Sequence, residues 1–201
     1  ITTACTTSAD IVCAACTNRD SDALSKKYTG KGTLAQGNAC PYDCVAGAYL
    51  SGGACAQCAA GKYQTETGGY AGASCTDCAT GTYGTGVKEV SATVCLNCAA
   101  GSYAATTGLS VCALCAAGKA NAATGASTAG SCGDCAAGTY TSAAGQATCA
   151  GCTGSTYQSA QGKTACDTCS GACPTGQGQT AACSTTADRT CGSCTNIDSQ
   201  M

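Results

Sequence analysis

Apolar and polar residues along this chain follow neither the 3.6-residue period of an amphipathic helix nor the alternation of a half-buried strand. A short phrase recurs instead, in which Cys-x-x-Cys is followed by small residues, a Gly and a Tyr, as in CLNCAAGSY at 95–103. A Gly two residues before the Tyr suits a positive φ angle. The pattern predicts short extended pieces around each Tyr, joined by Gly turns.

The phrase forms an internal repeat of two lengths. From Cys55 to Cys166, successive CxxC pairs begin 20, 20, 17, 20, 17 and 17 residues apart, and a CxxxC lies at Cys40 and Cys44. A tyrosine follows the second cysteine by five residues in six units, at Tyr49, Tyr63, Tyr83, Tyr103, Tyr140 and Tyr157, whereas Ala120 takes that place after Cys115. We expect each Tyr ring to cover the nearby sulfurs and so to provide a very small core.

Composition argues against an ordinary hydrophobic core. The 201 residues include no Phe and no Trp, and Ile, Leu and Val together number 15 (3, 6 and 6). Apolar burial at roughly 25 cal/mol per Å² cannot then offset the entropy of ordering the chain. The sequence has 23 cysteines, a proportion typical of disulfide scaffolds.

The cysteines allow three interpretations. Cys55, Cys58, Cys75 and Cys78 have zinc-ribbon spacing, but the chain has no His and almost no Lys or Arg beside the cysteines, and the knuckles run in one unbroken series. A redox CxxC needs a βαβ frame, which is not visible. Structural disulfides are favoured, since closing a loop of about 15 residues contributes roughly 3 kcal/mol in the chain-entropy model.

The phrase CAAGTYTSAAGQATC at 135–149 resembles the small loop module of tumour-necrosis-factor-receptor cysteine-rich domains and the ephrin-receptor-like cysteine repeat. CSGACPTGQGQTAACSTTADRTCGSC at 169–194 resembles the crossed four-cysteine module of those receptors. The resemblance implies the pairs Cys44–Cys55, Cys58–Cys75, Cys78–Cys95, Cys98–Cys112, Cys115–Cys132, Cys135–Cys149, Cys152–Cys166, Cys169–Cys183 and Cys173–Cys191. Cys16–Cys40 would then close the longest loop.

Tandem CxxCAAGTY-like units on a background rich in Ala, Gly, Ser and Thr resemble the immobilisation-antigen-type surface proteins of ciliates. That family implies an abundant extracellular coat, commonly lipid-anchored and antigenically variable. We therefore expect a secreted or cell-surface protein. The chain begins at Ile1 rather than Met, as we expect of a mature or excised segment.

The chain ends on a phrase similar to the one with which it begins. Residues 4–21 and 182–199 are identical at eleven of 18 positions, at a constant offset of 178 (182 − 4). Either one cysteine module is duplicated, or about 178 residues are one period of a longer array. In the second case Cys5 and Cys13 pair upstream and Cys194 pairs downstream, in the same chain or in another subunit. A local Cys5–Cys13 bridge is the alternative.

Other functions find little support in the sequence. The absence of His excludes Ser/His and Cys/His nucleophile pairs within the chain, so we expect no enzyme, no cofactor and no metal. A net charge of −2 without a basic patch makes a nucleic-acid partner improbable, and no apolar run is long enough for a membrane span. Asn-x-Ser/Thr is absent, whereas exposed Ser and Thr suit O-linked glycans.

We predict a small disulfide-rich repeat protein, an elongated ladder of short loops and β-hairpins without a large hydrophobic core. Its regions are an N-terminal cysteine module (1–39), tandem loop repeats (40–168), and a crossed four-cysteine module with the start of a next repeat (169–201). The expected function is an extracellular structural protein of a surface coat or filament, with itself as partner. A receptor-like ectodomain that binds a protein ligand is the alternative.

Overall fold

The computed structural model describes residues 26–28, 42–51, 54–65 and 74–194. Contacts divide the chain into two compact units. The first unit comprises 1–79, 83–96 and 106–111, and the second comprises 80–82, 97–105 and 112–201. The predicted division at residues 39 and 168 stays a prediction.

Two-stranded pairings make up the first unit. Its strands pair antiparallel in chain order: β1 (Lys26–Tyr28) with β2 (Tyr42–Cys44), β3 (Ala48–Ser51) with β4 (Ala54–Gln57), and β5 (Lys62–Tyr63) with β6 (Thr76–Asp77). β7 (Thr82–Tyr83) and β8 (Leu96–Asn97) form the next pair in the chain. A 3-10 turn at Ala92–Val94 precedes Cys95.

The second unit repeats the arrangement, with two-residue strands in every pair but the last. Its antiparallel pairs are β9 (Ser102–Tyr103) with β10 (Ala113–Leu114), β11 (Lys119–Ala120) with β12 (Gly133–Asp134), β13 (Thr139–Tyr140) with β14 (Ala150–Gly151), β15 (Thr156–Tyr157) with β16 (Asp167–Thr168), and β17 (Gln177–Ala181) with β18 (Thr190–Ser193). A second 3-10 turn spans Ala129–Ser131. The prediction of short extended pieces is confirmed for the tyrosines that the structure describes.

Nine disulfides join the described cysteines in the order that the receptor resemblance implies. They are Cys44–Cys55, Cys58–Cys75, Cys78–Cys95, Cys98–Cys112, Cys115–Cys132, Cys135–Cys149, Cys152–Cys166, Cys169–Cys183 and Cys173–Cys191. Cys16–Cys40 lies outside the described residues. The fold is thus a small disulfide-rich repeat of short β-hairpins, as the sequence predicts.

We call the stretch between two bonded cysteines a module, and its first residue the opening cysteine. The seven simple modules are 44–55, 58–75, 78–95, 98–112, 115–132, 135–149 and 152–166. The opening cysteines of the first six are at most 1% exposed, and every buried hydrophobic side chain among the described residues belongs to Cys or Ala. Sulfur and methyl groups therefore form the core of each module, in agreement with the predicted lack of a large hydrophobic core.

A glycine three residues after the opening cysteine turns the chain in six of the seven modules. We call it the turn glycine. The six are Gly47, Gly61, Gly81, Gly101, Gly118 and Gly138, with φ angles between 80° and 82°. These residues precede the Tyr position by two, so the predicted positive φ is confirmed. An L-residue with a side chain is strained in this left-handed region.

The two repeat lengths have a structural cause. Residue ten of a module (counting from the opening cysteine as zero) is a positive-φ loop residue in five modules: Lys88, Gly108, Gly125, Gly145 and Gly162. Modules 78–95 and 115–132 place three extra residues after it, and those residues are the two 3-10 turns. The extra residues are absorbed immediately before the closing cysteine, and the rest of the module keeps its geometry.

Candidate assembly interface

Successive modules of the first unit are joined through backbone groups. The turn glycine Gly61 donates its N–H to the carbonyl of Gly84 (2.7 Å) and accepts from the N–H of Cys78, the next opening cysteine (2.8 Å). Two further bonds tie the next loop back, from Gln64 N–H to Glu89 O (3.0 Å) and from Lys88 N–H to Cys58 O (2.8 Å). These four bonds join module 58–75 to module 78–95.

The second unit repeats the four bonds at equivalent positions. Between modules 98–112 and 115–132 they run from Gly101 to Asn121, from Cys115 to Gly101, from Ala104 to Ala126 and from Gly125 to Cys98. The set recurs from module 115–132 to 135–149 and from 135–149 to 152–166, with N–O distances of 2.7–3.3 Å. Because these bonds use main-chain groups, the interface does not depend on a particular side-chain set.

Each loop residue also covers the turn glycine two modules earlier. A Cβ built on Gly101 would lie 2.1 Å from the carbonyl oxygen of Gly145, and one on Gly118 would lie 2.2 Å from that of Gly162. In the first unit, a Cβ on Gly61 would lie 2.3 Å from the Gly108 oxygen. Such distances are far inside van der Waals contact, so the turn glycine is required both for its φ angle and for this close approach.

Lys88 is the exception in the set of loop residues. It has a φ of 59° and is the non-glycine residue with positive φ among those described. Its carbonyl oxygen covers the turn glycine Gly47 in the same way as the loop glycines cover theirs. A Cβ built on Gly47 would lie 2.3 Å from this oxygen. The interface thus imposes a left-handed conformation on a lysine, at a conformational cost of roughly 1 kcal/mol.

The residue after the Tyr position is buried in five modules, from 78–95 to 152–166, even where it is polar. Asn121, Thr141 and Gln158 are at most 8% exposed. Each side chain has partners: Thr141 Oγ1 accepts from the Gly118 N–H (2.8 Å), Asn121 Oδ1 accepts from the Ala123 N–H (3.1 Å), and Gln158 donates to Ala165 O (3.0 Å). The position therefore accepts side chains of varied chemistry, provided that they can hydrogen-bond locally.

Two modules carry an equivalent cross-strand ion pair. Lys62 pairs with Asp77 across β5 and β6, and Lys119 pairs with Asp134 across β11 and β12. The hydrogen bond from Lys62, with a further one from the Thr107 hydroxyl, holds the pKa of Asp77 below its ordinary value. The four side chains are between 37% and 50% exposed, so water screens both pairs and limits their contribution to stability.

The crossed module 169–191 is held by Asp188 as well as by its two disulfides. The carboxylate of Asp188 accepts from the backbone N–H of Ser170 (2.7 Å) and from the Ser170 hydroxyl. These bonds lower the pKa of Asp188. Cys169, Cys183 and Asp188 lie close enough together to suggest a metal site, but the two sulfurs are bonded to each other. A disulfide sulfur is not the thiolate that a zinc site needs.

The four cysteines with zinc-ribbon spacing are also bonded in disulfides. Cys58 is bonded to Cys75, while Cys55 and Cys78 are bonded outward to Cys44 and Cys95. In this oxidised arrangement the four residues offer no thiolates.

Side chains on the surface are less uniform than the sequence suggests. The Tyr residues of the repeat are half-buried, as a packing role requires. The exposed large aliphatic side chains of the described residues all fall between 87 and 114: Val87, Val90, Leu96, Val111 and Leu114, each at least 51% exposed. The other described parts of the repeat expose no large aliphatic side chain, so this segment differs from them.

Cys194 is the described cysteine without a disulfide, and it is exposed. It is the second cysteine of CGSC, which makes it equivalent to the buried opening cysteines. The other two predicted open-end cysteines, Cys5 and Cys13, lie outside the described residues. Within the described ranges no helix is long and apolar enough to cross a membrane. The predicted lack of enzymatic activity stays a prediction.

A scan against protein-family models and a search of the curated proteins find no match to this chain. The resemblances to receptor modules and to ciliate surface antigens remain sequence-based expectations.

Proposed function

We propose that the chain is an extracellular structural protein, a disulfide-stabilised repeat that builds a surface coat or a filament. One observation carries the proposal: the same four backbone hydrogen bonds join successive modules in both units. An interface of main-chain groups can be repeated without limit, because each added module offers the same donors and acceptors to the next. This is the principle on which solenoid proteins propagate.

The disulfides support the extracellular part of the proposal. Nine bonded pairs are typical of proteins in oxidising compartments. The described residues bury hydrophobic side chains of Cys and Ala alone, so their order depends on these bonds. A reducing cytosol would open these bridges. Exposed Ser and Thr side chains offer sites for O-linked glycans, which would hydrate a surface with few charges.

The structural proposal is consistent with the variation in side chains. The turn glycine recurs in six of the seven simple modules, whereas the position after the Tyr is buried with Gly84, Ala104, Asn121, Thr141 or Gln158 in it. A coat protein with a constant backbone scheme can keep its fold while its side chains vary, as the resemblance to immobilisation-antigen-type proteins implies.

Electron microscopy of the native material tests the proposal. We expect a continuous coat or filaments that react with an antibody against this chain, and that lose their order after reduction of the disulfides. Dispersed single molecules attached to cells at low density would contradict it.

A receptor-like ectodomain is the second candidate, and the exposed aliphatic residues favour it. Val87, Val90, Leu96 and Val111 are exposed in the first unit, in a chain with 15 large aliphatic residues in all. Concentrated exposed apolar side chains are typical of protein-binding surfaces. If this function holds, the labelled chain should bind saturably to an extracellular protein, and Val87→Ser with Val111→Ser should weaken that binding while Ala150→Ser does not.

A further inference from the structure

Gly176 repeats the turn glycine at the C-terminal end of the second unit. It lies three residues after Cys173, has a φ of 85°, and accepts the N–H of Cys194 through its carbonyl (3.4 Å). The bonds from Cys58 to Gly47 and from Cys135 to Gly118 have the same pattern. Gly176 and Cys194 therefore correspond to a turn glycine and to the opening cysteine of a following module.

The groups that a following module engages elsewhere are open here. Among the described residues, no atom lies within 4 Å of a Cβ built on Gly176, and no carbonyl accepts its N–H. At Gly101 the equivalent Cβ would lie 2.1 Å from Gly145 O, and the equivalent N–H donates to Asn121 O (2.7 Å). Within the described part of the chain, the left-handed turn at Gly176 thus lacks the carbonyls that cover and pair the turn glycine in other modules.

The side chain of Cys194 is also exposed. Opening cysteines of the first six modules are at most 1% exposed, whereas Cys194 is exposed. Its sulfur lies 3.3 Å from a Cβ built on Gly178, on the β17 side of the turn. Each of those six cysteines opens a described module, whereas no described module follows Cys194. We take its exposure to mark the place where a further loop would lie.

The sequence indicates what would cover this end. Residues 182–199 echo residues 4–21 at an offset of 178, and this places Cys194 in register with Cys16 (194 − 16 = 178). The segment that follows Cys16 is therefore the sequence that continues the repeat beyond Cys194. A second copy of this chain carries that segment, together with the module 44–55 and its successors.

We propose that the end formed by Gly176 and Cys194 is a docking site for the N-terminal modules of a second copy of this chain. The copies join head to tail through the backbone scheme that joins modules within one copy. A contact of this kind does not close on itself and generates an open assembly. The inference rests on the proposed structural function and names the interface through which it would operate.

Substitution at Gly176 tests the site. Sedimentation velocity of the oxidised 201-residue chain should show dimers and longer species whose proportion rises with concentration. Gly176→Ala places a methyl group where the incoming carbonyl would lie, and should weaken the association by roughly tenfold or more. Cys194→Ser should leave noncovalent association in place and remove any interchain disulfide seen on a nonreducing gel.

Gly154→Ala is the matched control. Gly154 also has a positive φ (64°) and open space around a built Cβ, so the substitution causes comparable strain away from the proposed site. It should associate like the unmodified chain. Association that is equal for Gly176→Ala and the unmodified chain, or an unmodified chain that stays monomeric, would overturn the docking site. If the docking site fails this test but the native material forms a coat or filament, the proposed structural function still holds. If the native molecules are dispersed, the proposed function itself is wrong.

Discussion

The carbonyl oxygen of Gly145 lies 2.1 Å from the position that a Cβ on Gly101 would occupy, although 44 residues (145 − 101) separate the two glycines. One complete module lies between those that contain them. Modules 98–112 and 115–132 are thus each held by the following module through hydrogen bonds, and by the module after that through this backbone contact. Coupling therefore extends beyond nearest neighbours, the limit assumed for simple repeat arrays.

Gly101→Ala should destabilise the protein strongly. The substitution adds left-handed strain and a clash with a backbone oxygen that cannot move independently, so we expect a loss of roughly 2–4 kcal/mol in the free energy of unfolding. Denaturant unfolding of the oxidised protein measures it. Gly154→Ala, which has strain without a clash, should lose only about 1 kcal/mol. Equal losses in the two variants would show that the close approach contributes nothing.

Lys88→Gly should stabilise the protein. Lys88 has a φ of 59° where four equivalent loop residues are glycine, and removal of its Cβ relieves that strain. Greater freedom of glycine in the unfolded chain offsets part of the gain, which leaves roughly 0.5–1 kcal/mol. Thermal unfolding should show a higher Tm than the unmodified chain. A lower Tm would mean that the contacts of the lysine side chain outweigh the strain.

Stability should depend on the ionisation of Asp77. Its pKa in the folded protein is lowered from the ordinary 3.8, chiefly by the hydrogen bond from Lys62. A carboxyl that is more acidic when folded adds stability above its unfolded pKa, and this stability is lost as the pH falls through the lower, folded pKa. The unmodified protein should therefore lose more stability than Asp77→Asn between about pH 5 and pH 2. If the free energy of unfolding falls equally with pH in the two proteins, the Lys62–Asp77 pair does not stabilise the fold.

Deletion of Ala129–Ser131 should leave the module intact. The deletion removes the 3-10 turn and converts the 17-residue cysteine separation of Cys115–Cys132 to the 14 residues of Cys98–Cys112. The Cα–Cα distances of the two disulfides are already similar, at 5.5 and 5.8 Å. Mass spectrometry should find the Cys115–Cys132 bond in the shortened chain. Deletion of Gly118–Ala120, which removes the turn glycine, should scramble the disulfides; an intact bond there too would show that any loop is tolerated.

The local turn and the hairpins were predictable from the sequence, because they depend on short-range chemistry. A Gly at a fixed distance from Cys and Tyr indicates a positive φ, and Gly61 and Gly101 have it. The nine disulfide pairs coincide with those implied by the resemblance to receptor modules, whereas cysteine spacing alone leaves many connectivities open.

The contact between turn and loop glycines could not be predicted. In the sequence the loop residue Gly145 looks like any other Gly, and its partner lies 44 residues away (145 − 101), a distance that matches no single repeat step. The exposure of Val87 and Val111 could not be predicted either, because composition does not reveal which side of a hairpin an aliphatic residue occupies. A fixed count of ten residues from opening cysteine to loop residue is the signal that could have located Gly145.

The most direct test of the account is a disulfide map of the unreduced native protein. Proteolysis at acidic pH, which prevents exchange, followed by mass spectrometry should recover Cys78 joined to Cys95, Cys98 joined to Cys112 and Cys135 joined to Cys149. Those bonds place each opening cysteine in the core of its own module. Recovery of bridges within a CxxC, such as Cys95–Cys98, or of free thiols together with bound zinc would contradict the repeat on which the fold and the proposed function depend.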